Sequence, residues 1–216
     1  MSRSALQKVR EAPSSTKARI LAAAERVFAA KGFEGASTRE ISAAAGVNIS
    51  SLHYHWESKE TLYYAVFQNI YDRIVDVVRS SIPTGPGDGP VSRTVIDQAM
   101  ARLFDFFADH PNIPKLLVRR LLESADTNSE IERDILVPAW RLFADWTNSF
   151  SGRQLDEADS QLFMLTVHSV LLLFLLDSQQ YVSLLGASAR SPALRPRIRQ
   201  YVIGLVHKLM TPSAPA

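Results

Sequence analysis

With 216 residues, 46% hydrophobic and 21% charged, the chain has a folded protein's composition and length for one large core or two small ones, which excludes a disordered tail protein. The absence of cysteine excludes a disulfide framework, a thiolate metal site and a cysteine nucleophile, and fits a reducing, cytoplasmic setting. A net charge of +2 is too small by itself to argue for nucleic acid, but the first 60 residues hold nine Lys and Arg against six Glu, so the remainder is net −1.

Residues 1–15 carry Arg3, Lys8 and Arg10 without an apolar run of signal-peptide length, and read as a mobile basic arm. After the start signal Ser15-Thr16, Ile20, Leu21, Ala24, Val27 and Phe28 recur at helical spacing until Gly32. Ser37 and Glu40 have the spacing of a capping box, in which the serine caps the helix while the glutamate reaches back to the cap's own amide. Gly46 ends this second helix, because the residue there must adopt positive φ. Asn48 can cap a third, with Leu52 and Trp56 on the stripe facing the bundle and the opposite stripe free to meet a partner. Thr38 to Lys59 therefore read as a helix-turn-helix able to enter the DNA major groove, within a domain spanning 16–60.

Ser58 can cap a fourth helix over 58–81, with Leu62, Ala65, Val66, Ile70, Ile74 and Val77/Val78 as its apolar stripe, connecting this domain to a second one over 61–211. The Pro- and Gly-rich run from Pro83 to Pro90 breaks the helix. Helices are expected at about 91–109, 113–125, 129–151, 156–185 and 193–210, with a tail at 212–216, and no strand alternation competes. The fold class is all-α.

The most apolar stretch, Leu162 to Leu176, contains Thr166, His168 and Ser169 and falls short of the ~20 residues that span a membrane, so no membrane partner is expected. Leu194, Ile198, Tyr201, Val202, Leu205 and Leu209 form a stripe on the last helix. A helix apolar all round needs neighbours on every side. Either it is the centre of its own domain, or the helices at 156–185 and 193–210 meet a second copy in a two-fold homodimer.

Trp140, Phe143 and Trp146, with Phe104, Phe106, Phe107 and Phe163, are either core or the wall of an apolar pocket. His110, Asn112, Arg119, Arg120, Glu123 and His168 are polar groups able to orient a ligand. Adjacent Arg119 and Arg120 diverge by about 100° on a helix, so one at most faces inward. The candidate ligand set is Phe107, His110, Arg119, Glu123, Trp140, Phe143, Phe163 and His168, the last preferred because it interrupts an apolar helix. No cofactor is expected, and no metal: His53 and His55 point about 200° apart on a helix and cannot share an ion.

Residues 16–67 resemble the DNA-binding domain of the tetracycline-repressor (TetR) family of transcriptional regulators. The matching pieces are Ile20 to Ala24 with Phe28, Lys31-Gly32-Phe33, Ser37-Thr38, Ile41, Ala45-Gly46-Val47, Leu52, His55 and Lys59 to Leu62. The resemblance implies a dimer on double-stranded operator DNA, a four-helix interface from the last two helices, and a carboxy-terminal ligand-binding and dimerisation domain. By position it implies that Thr38 holds a phosphate and Arg39 reads a base. It also puts Ile49, Ser50, Ser51 and His53 toward bases, and Tyr54, His55 and Lys59 toward the backbone, with Asn48 beside them. The family usually has tyrosine where this chain has His53 and phenylalanine where it has Trp56.

The function expected is a ligand-responsive regulator, a repressor released from a palindromic operator by a small, partly apolar effector. The alternatives are a constitutive DNA-binding regulator and an all-helical enzyme. For the enzyme no G-x-S-x-G, P-loop, G-x-G-x-x-G or H-E-x-x-H pattern occurs.

Overall fold

The computed structural model describes residues 6, 9–81, 93–122, 129–151 and 156–210, with the side chains of all of these except 129 and 146–151. Arg3, Lys8, the Pro83–Pro90 break, Glu123, the Trp146 side chain, Gly152 and the tail at 212–216 lie outside the described residues. Among the described residues there are helices and turns and no strand. They are α1 (Thr16–Gly35), α2 (Thr38–Ala45), α3 (Ile49–His55), α4 (Lys59–Arg79), α5 (Arg93–Asp109), α6 (Asn112–Leu122), α7 (Ser129–Ile131), a π-helical turn (Glu132–Leu136), α8 (Val137–Ser151), α9 (Glu157–Leu175), α10 (Gln179–Leu185) and α11 (Arg195–Met210).

The chain divides into two compact units, one of Met1–Arg73 with Lys115–Leu136 and one of Ile74–Pro114 with Val137–Ala216. In the first, α1 packs on α2 and α3 around Ile20, Leu21, Phe28, Ile41, Leu52 and Trp56, all buried. Tyr63 of α4 joins them: its ring lies 4.8 Å from Phe28 edge-on and 4.9 Å from both Phe33 and Phe67, spacings at which aromatic pairs add about 0.5–1.5 kcal/mol beyond area burial. The expected stripe of α4 is buried over Leu62, Ala65, Val66, Ile70, Ile74 and Val78. Tyr63, Phe67, Asn69, Tyr71 and Asp72 are buried too, so far more of this helix is covered than a stripe would need.

Three expectations need correction. Leu6 and Val9 of the expected mobile arm are buried and Val9 to Glu11 are helical, while Glu11 to Ser14 are exposed; an apolar pair three residues apart has one helical face to bury. The expected helix at 129–151 starts with one turn and a π segment before α8. Pro138 explains the change of register, since it has no amide for the carbonyl four residues earlier and its ring crowds that carbonyl. The expected helix at 156–185 breaks after Leu176, where Asp177 takes φ 55°. Asp177 accepts bonds from Ser188 Oγ (2.7 Å), Ala189 N (3.0 Å) and Arg190 Nη2 (2.9 Å), and these offset the cost of the left-handed turn.

In the second unit α5 and α11 are joined by ion pairs. Arg195 bonds Asp105 (2.8 Å) and Asp109 (2.6 Å), Arg199 bonds Asp105 (2.7 Å), and His207 bonds Asp97. The bond from Arg195 holds the Asp109 carboxyl below its ordinary range. α9 buries Val167, Leu171, Leu172 and Leu175 and contacts α5, α8 and α11. Leu162, Leu165 and Leu173 of the same helix are 61, 40 and 45% exposed. By length and composition this helix could cross a membrane.

Candidate nucleic-acid interface

The amino-terminal unit fixes one short helix with one face inward and one outward. α2 starts at a complete capping box: Glu40 N donates to Ser37 Oγ (3.2 Å) and Ser37 N to Glu40 Oε2 (3.1 Å). Lys31 also pairs with Glu40, and the bonds from Lys31 and Ser37 hold its carboxyl below the ordinary range. Gly46 ends α2 at φ 65°, ψ 41°. Asn48 then caps α3, its Oδ1 accepting from Ser51 N at 2.7 Å.

Arg19 of α1 clamps the turn itself. Its Nη2 donates to the carbonyls of Ala45 (2.6 Å) and Gly46 (2.9 Å), while Arg26 Nη2 reaches Ala44 O at 3.3 Å. Unpaired carbonyls at a helix end carry partial negative charge, so both guanidiniums sit where a cation is favoured. A Cβ on residue 46 would stand 2.9 Å from Arg19 Nη2, so a larger residue would push the guanidinium off the turn, in addition to the strain that positive φ imposes. Sequence reasoning missed this clamp. Its signal is the seven-residue spacing of Arg19 and Arg26, two helical turns on one face of α1.

On α3, Leu52 and Trp56 are fully buried and the Lys17 ammonium lies 4.8 Å over the Trp56 ring. Outward stand Asn48, Ser50, His53 and Tyr54, with Ile49 40% and Tyr54 85% exposed; Ser51 and His55 are half-buried. At the start of α2, Arg39 is exposed and Thr38 half-buried. Each of these residues is at least partly accessible to a partner. Lys59 is placed differently. Its Nζ donates to Phe33 O (3.0 Å) and Ala36 O (3.3 Å) and stands 4.2 Å over the Phe33 ring. The anionic partner that a lysine at a helix start needs is here the carbonyl end of α1.

The expected ligand residues do not form one cluster. Phe107 is core, and His110 lies at the end of α5 with Nδ1 2.7 Å from Phe106 O. Arg119 belongs to the other compact unit, where it donates to Ala30 O at 3.1 Å. Of the adjacent arginines, Arg120 is the buried one, paired with Glu132. Trp140 and His168 do come together, their rings 5.6 Å apart, with Phe143 on α8 and Phe163 on α9 half-buried. Desolvation lowers the His168 pKa to about 4, so at neutral pH it is an uncharged imidazole. Beside it a cavity of about 520 Å³ runs between α8 and α9, lined by Trp140, Arg141, Asp145, Glu157, Gln161 and Met164 among others.

An all-helical chain that fixes a short helix over a glycine turn, with one buried face and one outward polar face, belongs to the class of helix-turn-helix proteins. Residues 20–66 match the family model described as bacterial regulatory proteins, tetR family. That match identifies a TetR-family amino-terminal domain within residues 20–66. It is 32% identical over 123 residues to the HTH-type transcriptional repressor SCO4008 of Streptomyces coelicolor, covering 56% of this chain and 58% of that protein. It is 43% identical over 61 residues to the HTH-type transcriptional regulator RutR of Escherichia coli K12, covering 28 and 29%. The chain thus spans little more than half the length, at most, of the curated relatives it matches. Two solved structures share the fold. The putative transcriptional regulator SCO4942 of Streptomyces coelicolor matches with TM-score 0.65, 20% identity and 90 and 98% of the two chains. The fatty acid degradation regulator FadR of Bacillus halodurans matches with TM-score 0.65, 19% identity and 88 and 95%.

Proposed function

We propose that the protein is a cytoplasmic, ligand-responsive regulator of transcription that represses from a palindromic operator until a small effector binds. The observation that carries this is the outward face of α3, rigidly mounted by the Arg19 clamp and the Asn48 cap. In this reading Arg39, Ile49, Ser50, Ser51 and His53 face base edges, while Thr38, Asn48, Tyr54 and His55 set register on the phosphates. Lys59 acts from behind, tying the start of α4 to the end of α1. The role requires no covalent chemistry.

Seven large apolar side chains support a homodimer through the last helices. Leu162, Leu165 and Leu173 of α9, Leu184 and Leu185 of α10, and Tyr201 and Leu209 of α11 are each at least 40% exposed. Monomeric proteins seldom leave so many large apolar groups on neighbouring elements uncovered. A two-fold interface would present two α3 helices to successive major grooves, roughly 34–36 Å apart. A partner copy also accounts for the apolar length of α9 without a membrane.

The cavity between α8 and α9 supports an effector site of mixed character, since its volume falls within the range of small-molecule pockets. Release would follow if the effector prefers a dimer shape in which the two α3 helices no longer match the groove spacing. α4 continues from the first unit into the second, which supports it as the lever. Linkage then requires operator DNA to weaken effector binding by the factor by which effector weakens DNA binding.

Fluorescence anisotropy with duplexes selected from a random library tests the DNA reading. The expected result is a palindromic consensus, one dimer per site by sedimentation, and affinity that falls as salt is raised. A strictly monomeric protein that enriches no sequence at low salt would overturn it.

A further inference from the structure

The recognition surface contains one side chain whose chemistry differs from the rest. Around it are hydroxyls, an imidazole, an amide and a phenol, each able to donate or accept a hydrogen bond. Ile49 can do neither, yet it stands at the start of α3 with 40% of its surface exposed. Leu52 and Trp56 supply the fully buried core contacts of this turn, whereas Ile49 leaves two fifths of its surface open to a partner. Helix formation does not favour an isoleucine here, since a β-branched residue loses side-chain freedom in a helix. The exposed part of the side chain gains nothing from water, which leaves it an apolar contact to offer.

From this we infer that Ile49 is a specificity-determining residue that reads the C5-methyl group of one thymine in each half-site, an inference that rests on the DNA-binding reading. In the major groove only thymine presents an apolar group; guanine, adenine and cytosine present N7, O6, N6 or N4. An aliphatic side chain pressed against those atoms strips them of water and returns no hydrogen bond. Against a methyl it gains by contact. The side chain is also held for this purpose: the Asn48 cap fixes the first turn of α3, the Arg19 clamp fixes the turn before it, and Cβ branching restricts χ1. The neighbouring Ser50 and His53 can adapt their hydrogen bonding to several bases, whereas Ile49 recognises the presence or absence of one carbon.

Deoxyuridine differs from thymidine at the edge facing the major groove only by that carbon, and is the probe. With a duplex enriched by the full-length protein from a random library, each thymine of a half-site is replaced in turn by deoxyuridine, and affinity is measured by anisotropy. One position is expected to lose about fourfold, and about fifteenfold when both half-sites are changed, the worth of one buried methyl per site. Ile49→Ala should bind the unmodified duplex more weakly and be indifferent to deoxyuridine at that position, while other positions keep their wild-type response. The residue is surface-exposed, so the variant should fold, as circular dichroism would verify. As a second probe, 5-methylcytosine at the same position should bind wild type more tightly than cytosine does. Equal deoxyuridine losses in wild type and Ile49→Ala, or no sensitive thymine at all, would overturn the inference and leave DNA binding standing. If no duplex is enriched, the DNA-binding reading falls and takes this inference with it.

Discussion

Gly46 and Arg19 show how one side chain fixes the turn that leads into α3. The glycine meets two demands, a left-handed backbone and a guanidinium nitrogen too close for a Cβ. Gly46→Ala should therefore cost about 1–2 kcal/mol, from positive φ and displacement of Arg19, and lower Tm by a few degrees with a larger proportional loss of DNA affinity; differential scanning fluorimetry and anisotropy read the two effects. Positive φ was legible in the sequence, because glycine after an alanine-rich helix has few other uses. The arginine was not, since nothing local in Arg19 announces a carbonyl twenty-six residues away. His168 gives a residue-scale prediction about pH. Its pKa is about 4 when folded against about 6.5 when unfolded, so the unfolded chain takes up the proton first and stability falls as pH drops below 6.5. Its full contribution is present above that value and should be reduced by on the order of 2 kcal/mol at pH 5. Urea midpoints at pH 7.5 and pH 5 should converge in His168→Gln relative to wild type; an unchanged difference would remove His168 as the cause.

Among the elements, the reading from sequence succeeded where a local signal is strong and failed where a distant one decides. Ser37, Glu40, Asn48 and Gly46 act within four residues of themselves, and α2 and α3 begin and end where these residues predict. The break after α9 depends on Ser188, Ala189 and Arg190 converging on Asp177, which periodicity does not report. Apolar spacing continues through Tyr181, Leu184 and Leu185 as though the helix did not stop. Among the candidate effector residues, Trp140 and His168 share a helix pair, but an arginine's inward or outward turn is set by packing, and Arg120 rather than Arg119 is buried. The broken end of α9 has a testable consequence, because α10 carries Leu184, 80% exposed, and Leu185 on a separate short helix. Leu184→Glu leaves the protomer core untouched and should shift the protein toward monomer in sedimentation velocity while its helicity is retained. A variant that still sediments as a dimer would move the interface away from α10.

At the scale of the whole molecule, two compact units are each formed from two separated stretches of chain, and α4 and α6 each supply residues to both. Neither unit is a continuous segment that can be cut out, so cleavage or truncation between them should destabilise both. A chain shortened to end at Arg79 lacks Lys115–Leu136, and with it the Arg119 bond to Ala30 and the Arg120 pair with Glu132. Thermal unfolding of that truncated head should begin below that of the full chain. An equal Tm would mean that the amino-terminal helices are self-sufficient.

Among the described residues, the head also turns most of its basic side chains toward its own chain. Arg19, Arg26 and Lys59 are bonded to main-chain oxygens, Lys31 to a carboxylate, and Lys17 rests on an indole. With so few uncommitted ammonium and guanidinium donors among the described residues, such a head offers few direct phosphate contacts on random sequence. Such a protein should dwell only briefly at arbitrary genomic positions, finding its target by short visits rather than long slides, and its occupancy in a cell should depend more on matching bases than on bulk polyanion.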